Sequence, residues 1–261
     1  MRIDFHTHVK LAKKLPFASK YTDWLFGEAK QNGLDAICIT EHFNTLGFEE
    51  VYNYIRENYP QEGDTFVING LRIFPGMEID IQEGGHILAL GKIEDIIAFN
   101  RALEPYKSKE NFLPFEELLE QAKGVNVYLG GAHPYREGGA IPTLPEHLLK
   151  QLYFLDLNGK DYAGKGEQAR RELSELATRL NLPMVGGSDT HQAFQYGCIY
   201  TAFEEMPITV EELIGLVQLQ NHSIHAHQEA SFKVESAATL KKALKEIYAL
   251  GGDYVKVLVG E

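Results

Sequence analysis

Cysteine is scarce in this 261-residue chain: Cys38 and Cys198 lie far apart in apolar runs, with no C-x-x-C spacing. A disulfide framework and a thiolate metal site are therefore both excluded, and the two thiols are expected to be buried and inert. Positive charge is also in short supply, with 25 Lys+Arg against 37 Asp+Glu and a formal net charge of −12. An extended nucleic-acid footprint needs a basic surface, so no such partner is expected. No run approaches the ~18 to 20 apolar residues of a membrane span. The opening Met1-Arg2-Ile3-Asp4 lacks the basic-then-apolar pattern of a secretory leader. A soluble, cytoplasmic protein with no membrane partner is expected. The single tryptophan, Trp24, reads with Tyr21 and Phe26 as the core face of a first helix rather than as a binding platform.

What is present is ordinary globular material, 44% apolar and 24% charged, enough for one large core over residues 1–261 as a single domain. Short apolar runs of β character alternate with amphipathic segments. Strands are predicted at Arg2–His6, Asp35–Thr40, Thr65–Pro75, His86–Gly91, Val125–Gly131, Tyr153–Leu157, Met184–Gly187, Gly197–Phe203 and Tyr254–Val259. Near-continuous apolar runs such as Asp35–Thr40 fit parallel strands covered on both faces. Helices are predicted at Tyr21–Asn32, Phe48–Tyr59, Phe115–Lys123, Glu167–Leu180, Val210–Gln220 after a Thr209/Glu212 capping box, and Ala237–Leu250. Arg101–Asn111 reads as an irregular surface excursion. Repeated strand-then-helix units point to an α/β barrel or a doubly wound sheet.

Six of the ten histidines sit at strand ends, in company with acids. His6 and His8 close the first strand as H-T-H, Glu41-His42 close the second, Glu78 follows the third, His133 follows the fifth, and Asp189 and His191 follow the seventh. His86 is out of register, because it opens its strand. In a parallel barrel the loops after the strand C-termini share one rim, so these groups can converge. Alternate residues on a strand face the same way, so His6 and His8 can address one ion. A mixed His/carboxylate set without thiolates suits Zn, Mn or Fe. Eight candidate ligands, His6, His8, His42, Glu78, His86, His133, Asp189 and His191, exceed the roughly four that one tetrahedral ion takes, which favours a multinuclear site. His222, His225 and His227 lack carboxylate neighbours in sequence and read as exposed or packed side chains.

The motifs DFHTH, ITEH, GMEI, GGHILALG, GAHP and GGSDTH, in this order from Asp4 to His191, resemble those of the polymerase and histidinol phosphatase (PHP) family of metal-dependent phosphoesterases. The resemblance implies a distorted (β/α)7 TIM-like barrel with metals at the strand C-terminal rim. It implies two or three divalent ions: His6, His8, Glu78 and Asp189 around one, Glu78, His86 and His133 around a second, and His42 with His191 left for a third. Two departures stand out. Glu41 replaces the Asp of the common T-D-H motif, which is expected to shift the orientation of His42. After H-T-H, where many members carry another third-metal ligand, this chain offers Lys10, Lys13 and Lys14. One of these lysines, Lys13 foremost, is expected either to bring positive charge to a substrate phosphate or to be a solvated loop residue.

Two ions about 3.5 to 4 Å apart can hold a bridging hydroxide and clamp an in-line phosphoryl displacement. The expected reaction is hydrolysis of a small phosphorylated molecule of the histidinol-phosphate, nucleotide or sugar-phosphate kind, with hydroxide near Glu78. His42 or His191 is the expected proton source for the leaving group if the third metal is missing. Arg136, two residues after Ala-His-Pro, and Lys160, at another strand end, are placed to reach the phosphate. Two other readings compete. An amidohydrolase-type barrel also opens with H-x-H, but it does not account for Glu78 followed by His86, and it often needs a bridging lysine that is not evident here. A metal-stabilised binding module without catalysis would be expected to have lost ligands.

Overall fold

In the computed structural model, which describes residues 1–260, eleven strands form a curved sheet. They are β1 (Arg2–Thr7), β2 (Ala36–Ile39), β3 (Gln61–Glu62), β4 (Thr65–Ile68), β5 (Leu71–Asp80), β6 (His86–Gly91), β7 (Val127–Ala132), β8 (Phe154–Asn158), β9 (Met184–Gly187), β10 (Ile199–Ala202) and β11 (Ser223–Ala226). The barrel runs β1-β2-β5-β6-β7-β8-β9. Its seam closes where Asp189 N–H donates to the His6 carbonyl at 2.7 Å and His8 N–H donates to that of Thr190 at 2.8 Å. This is the nearly closed, distorted barrel the motifs implied.

The distortion resolves the misfit of His86. Strand β6 runs antiparallel to both β5 and β7, with Asp80 opposite His86. The start of β6 therefore lies on the same rim as the ends of its neighbours.

Alternation along the strands sorts two cores. Phe5, Cys38, Phe74, Leu88, Phe154 and Val185 fill the interior, with Phe5 and Phe154 edge-to-face at 5.8 Å. Val210, Leu213, Ile214 and Val217 of the helix Val210–Gln218 stop the end opposite the histidines. Its capping box forms as the sequence predicts, Thr209 Oγ1 accepting from Glu212 N–H at 3.1 Å and Glu212 Oε2 accepting from Thr209 N–H at 3.2 Å. Outside, Ile37 and Ile39 pack under helices such as Ser19–Gln31, which buries Tyr21, Leu25 and Phe26. Both cysteines are buried and free.

Three local expectations are corrected. Thr65–Pro75 is not one strand: Asn69 and Gly70 both adopt positive φ, 49° and 78°, and turn the chain back between β4 and β5. Asn-Gly is the dipeptide that a tight hairpin favours. Tyr254–Val259 is a helix, because Asp253 accepts from the backbone N–H groups of Val255 and Lys256 at its N-terminus, both at 3.0 Å. A helix at Ile93–Ala102 takes up the start of the irregular segment, the rest of which holds two 3-10 turns at Glu104–Tyr106 and Lys109–Asn111.

Candidate metal centre

All eight predicted ligands meet at one rim. At the centre is the buried carboxylate of Glu78. Its Oε1 lies 2.6 Å from His86 Nδ1, 3.1 Å from His133 Nε2 and 3.5 Å from His6 Nε2, and its Oε2 lies 2.8 Å from His42 Nδ1 and 3.4 Å from His8 Nε2. Asp189 works as a two-sided group. Its Oδ1 faces His8 Nε2 at 3.3 Å and His191 Nδ1 at 3.6 Å, while Oδ2 accepts from Arg136 Nη1 at 2.7 Å and Lys160 Nζ at 3.1 Å. His133 and Asp189 hold positive φ, 33° and 58°, a left-handed geometry unusual outside glycine and enriched where function demands it.

Three sets bring one donor atom per residue within 4.8 Å of one another: His6, His8 and Asp189; His6, Glu78 and His133; and His8, His42 and His191. The sets that the resemblance implied are drawn together as well: His6 and His8 both face Glu78 and Asp189 across 3.3 to 3.9 Å, and His86 Nδ1, Glu78 Oε1 and His133 Nε2 lie 2.6 to 3.2 Å from one another. His8 in addition completes a set with His42 and His191. His86 also reaches outward, its Nε2 held 3.1 Å from Asp80 Oδ1.

The donor set fits divalent cations. Buried His6 Nε2, both ring nitrogens of His8, His42 Nδ1 and Glu78 Oε2 make no hydrogen bond. His42 Nδ1 and Glu78 Oε2 are close without being aligned for one. Buried polar atoms otherwise find partners, and lone pairs converging unbonded from imidazoles and carboxylates make a cation's surroundings.

Behind these groups stands a layer that the sequence reading did not single out. His6 Nδ1 meets buried Asp156 Oδ2 at 3.0 Å, and Asn158 Nδ2 donates to the same oxygen at 3.2 Å. This contact fixes the imidazole so that Nε2 points at the cluster. An acid in the middle of the apolar run Phe154–Asn158 was the available signal. Glu41 is also turned differently from expectation. Its Oε1 accepts from the N–H groups of Val9 at 2.6 Å and Lys10 at 2.9 Å, and its Oε2 lies 3.8 Å from His8 Nδ1, so it orients His8 and the chain after it rather than His42.

The three lysines after H-T-H separate. Lys10 is buried and its ammonium donates to Thr45 Oγ1 at 3.1 Å and to the Leu46 carbonyl, whereas Lys14 is exposed. Lys13 reaches the rim through Asp80 Oδ2, at 3.0 Å. Arg136 is fully engaged, with Nη2 on Asn158 Oδ1 at 2.6 Å and Nε 3.4 Å from Asp161 Oδ1 in addition to Asp189. Lys160 contacts the rim through Asp189 Oδ2 alone. Among the described residues His222, His225 and His227 join none of the three sets: His222 Nε2 lies 2.7 Å from the Met184 carbonyl and His225 stacks on Tyr200.

Burial and charge divide the imidazoles. Burial opposes protonation of His86, but Glu78 and Asp80 overcome it and raise the ring to about 9. The same contest, against Glu78 and Asp156 for His6 and against Asp189 and Glu41 for His8, leaves both above the ordinary value. Burial pushes His42 and His133 down to about 4 and His191 also well down. Burial likewise opposes ionisation of Glu78 and Asp189, yet Glu78, facing His86, and Asp189, facing Lys160, stay well below the usual carboxylate range. A cation binds neutral imidazole, so uptake must expel protons from the raised rings. Metal affinity of the metal-free protein should rise with pH toward about 9, by about tenfold per pH unit for each proton released. Calorimetry in buffers of different ionisation enthalpy counts those protons; flat affinity between pH 6 and 9 would contradict the sign.

Residues 4–152 match the family model described as PHP domain, and residues 167–217 match that described as PHP-associated. Among curated proteins nothing matches. Among solved structures, PsfC from Pseudomonas syringae PB-5123 is 22% identical and superposes over 93% of this chain and 98% of that one, with a TM-score of 0.76. The lesion-specific endonuclease EndoQ from Pyrococcus furiosus is 18% identical over 85% of this chain and 57% of its own, with a TM-score of 0.63. A candidate metal-dependent phosphoesterase from Bifidobacterium adolescentis is 16% identical over 82% and 94%, with a TM-score of 0.50. At these identities the likeness is one of fold.

Proposed function

We propose that this chain, which belongs to the PHP domain family and is a metal-dependent phosphoesterase, hydrolyses the phosphate monoester of a small molecule. The observation that carries the reading is the two-sided Asp189. Its inner oxygen belongs to the histidine cluster, and its outer oxygen is shared by Arg136 and Lys160. Cationic side chains thus stand where an anionic group must come to meet the cluster.

His6, His8, Glu78, His86, His133 and Asp189 would hold two ions, and His42 and His191, with His8 in reach, a third. When bound, such ions polarise phosphoryl oxygens and make water nucleophilic at neutral pH. The chain's own groups divide the remaining work. With every guanidinium nitrogen occupied, Arg136 orients Asp189 and lends its charge to the rim. Lys160, 41% exposed and with one rim partner, has protons to spare for a phosphate oxygen. Lys13 brings a second ammonium to the rim through its hold on Asp80. His42 and His191, kept neutral by burial, are better suited to ligating than to protonating a leaving group.

The test is a panel of phosphomonoesters, phosphodiesters and amides offered to purified protein loaded with Mn, Zn or Fe. Monoester turnover that vanishes on chelation and returns with metal is expected. Preferred cleavage of diesters or amides, or uniform inactivity, would overturn the reading.

A further inference from the structure

Beside the metal rim is a pocket of about 250 Å³ lined by Lys160 and His191 on one hand and by the helix Ala230–Ala249 on the other. That helix contributes Lys241, Lys242 and Lys245 to the lining, against a single carboxylate, Glu246. Among the described residues none of these three ammonium groups is within ion-pair distance of an acid, in a chain where acids outnumber bases. Lys241 is half-buried; burial, and then the ammonium of Lys160, pulls it down to about 8 against the attraction of Asp189.

The wall is fixed in place. Lys233 Nζ donates to Asn32 Oδ1 at 3.1 Å and to the Tyr196 carbonyl at 3.0 Å, and Ser231 Oγ donates to the Ala163 carbonyl at 2.7 Å. The helix lies outside both family-matched stretches, 4–152 and 167–217.

We infer that the lysine-walled pocket is a second anion subsite, and that the substrate carries a further anionic group, phosphate or carboxylate, besides the phosphate presented to the metal rim. This inference rests on the phosphoesterase reading for the first group and adds the second. Lys160 joins the two places, touching Asp189 while lining the pocket. A small organic molecule bearing two anions therefore fits the pair of sites better than a neutral alcohol's monoester.

The test compares α,ω-alkanediol bisphosphates of two to six carbons, and ω-carboxyalkyl phosphates of the same lengths, with simple alkyl phosphates, on metal-loaded protein. At the best length the doubly anionic substrates should have a kcat/KM about tenfold or more above the alkyl phosphate, mainly through KM, since hydrogen bonds to charged groups are worth that much. Lys241→Met with Lys245→Met should collapse the ratio toward one, and Lys241→Arg with Lys245→Arg should retain most of it. Which series gains more separates phosphate from carboxylate. Binding is read independently by calorimetry with unhydrolysable alkane bisphosphonates against alkylphosphonates. A bisphosphonate preference that the methionine pair removes, without any turnover, would keep the subsite and discard the phosphoesterase reading. No preference in binding, a ratio unmoved by the methionine pair, or internal cleavage of an oligonucleotide preferred over every bisphosphate would overturn the subsite.

Discussion

Glu78→Gln is expected to lose bound metal and phosphatase activity together, with kcat/KM falling by about 10³ or more, since a metal is worth several kcal/mol to the transition state and each 1.36 kcal/mol is tenfold. The substitution preserves shape, so the barrel should form. What it removes is the one carboxylate whose two oxygens address His6, His8, His42, His86 and His133 within 3.5 Å. An amide supplies a single neutral acceptor and turns an N–H₂ toward rings that need a base. His86 should fall from about 9, because Glu78 is the largest contributor holding it up against burial. Elemental analysis gives the metal content, ring titration by NMR gives the His86 shift, and turnover gives the rate. Full turnover in a metal-depleted Glu78→Gln protein would remove Glu78 from the centre of the site.

The eight rim groups were legible in the sequence because their chemistry is written in residue type, and because a strand end is a place that an apolar run announces. Which groups share an ion was less legible. His6 and His8 are each within reach of two sets, and their distances depend on the register shift between β1 and β2 over Asp4 to Thr7 and on the return of β9 beside β1. The position of His86 needed the reversed direction of β6, which an isolated apolar run cannot signal. Asp156 was obscure for a different reason, since it touches a ligand rather than looks like one, and Glu41, singled out for His42, turns out to orient His8. The pocket lysines were hidden by their helical context, where Lys241, Lys242 and Lys245 pass for a solvated face; only the packing of Ala237 and Leu244 into the body turns that face toward the rim. The net charge of −12 acquires a narrower meaning as a result. The chain is acidic as a whole, while a lysine-lined pocket lies beside the metal centre, where a small anion would be drawn at close range.

Gly187→Ala is expected to damage stability and the metal site together. A Cβ at Gly187 would stand 2.4 Å from His6 Cβ and 2.6 Å from Asp156 Oδ1, with the His6 backbone nitrogen at 3.0 Å. Two of these atoms are backbone or backbone-proximal, so no rotamer change relieves them, and β9 must move away from β1. Overpacking of this kind costs about 1–3 kcal/mol, occasionally more. In a domain of this size that lowers Tm by about 2–4 °C per kcal/mol. The functional loss should exceed the loss of stability, because the displaced groups are a ligand and the carboxylate that orients it: with His6 Nδ1 parted from Asp156, metal affinity should fall about 10–100-fold. Asp156→Asn separates the two effects, since it weakens the orienting contact without adding volume and should reproduce the affinity loss with little change in Tm. If Gly187→Ala instead binds metal as tightly as the parent while melting lower, the close approach serves packing alone and the His6–Asp156 contact does not set the metal site.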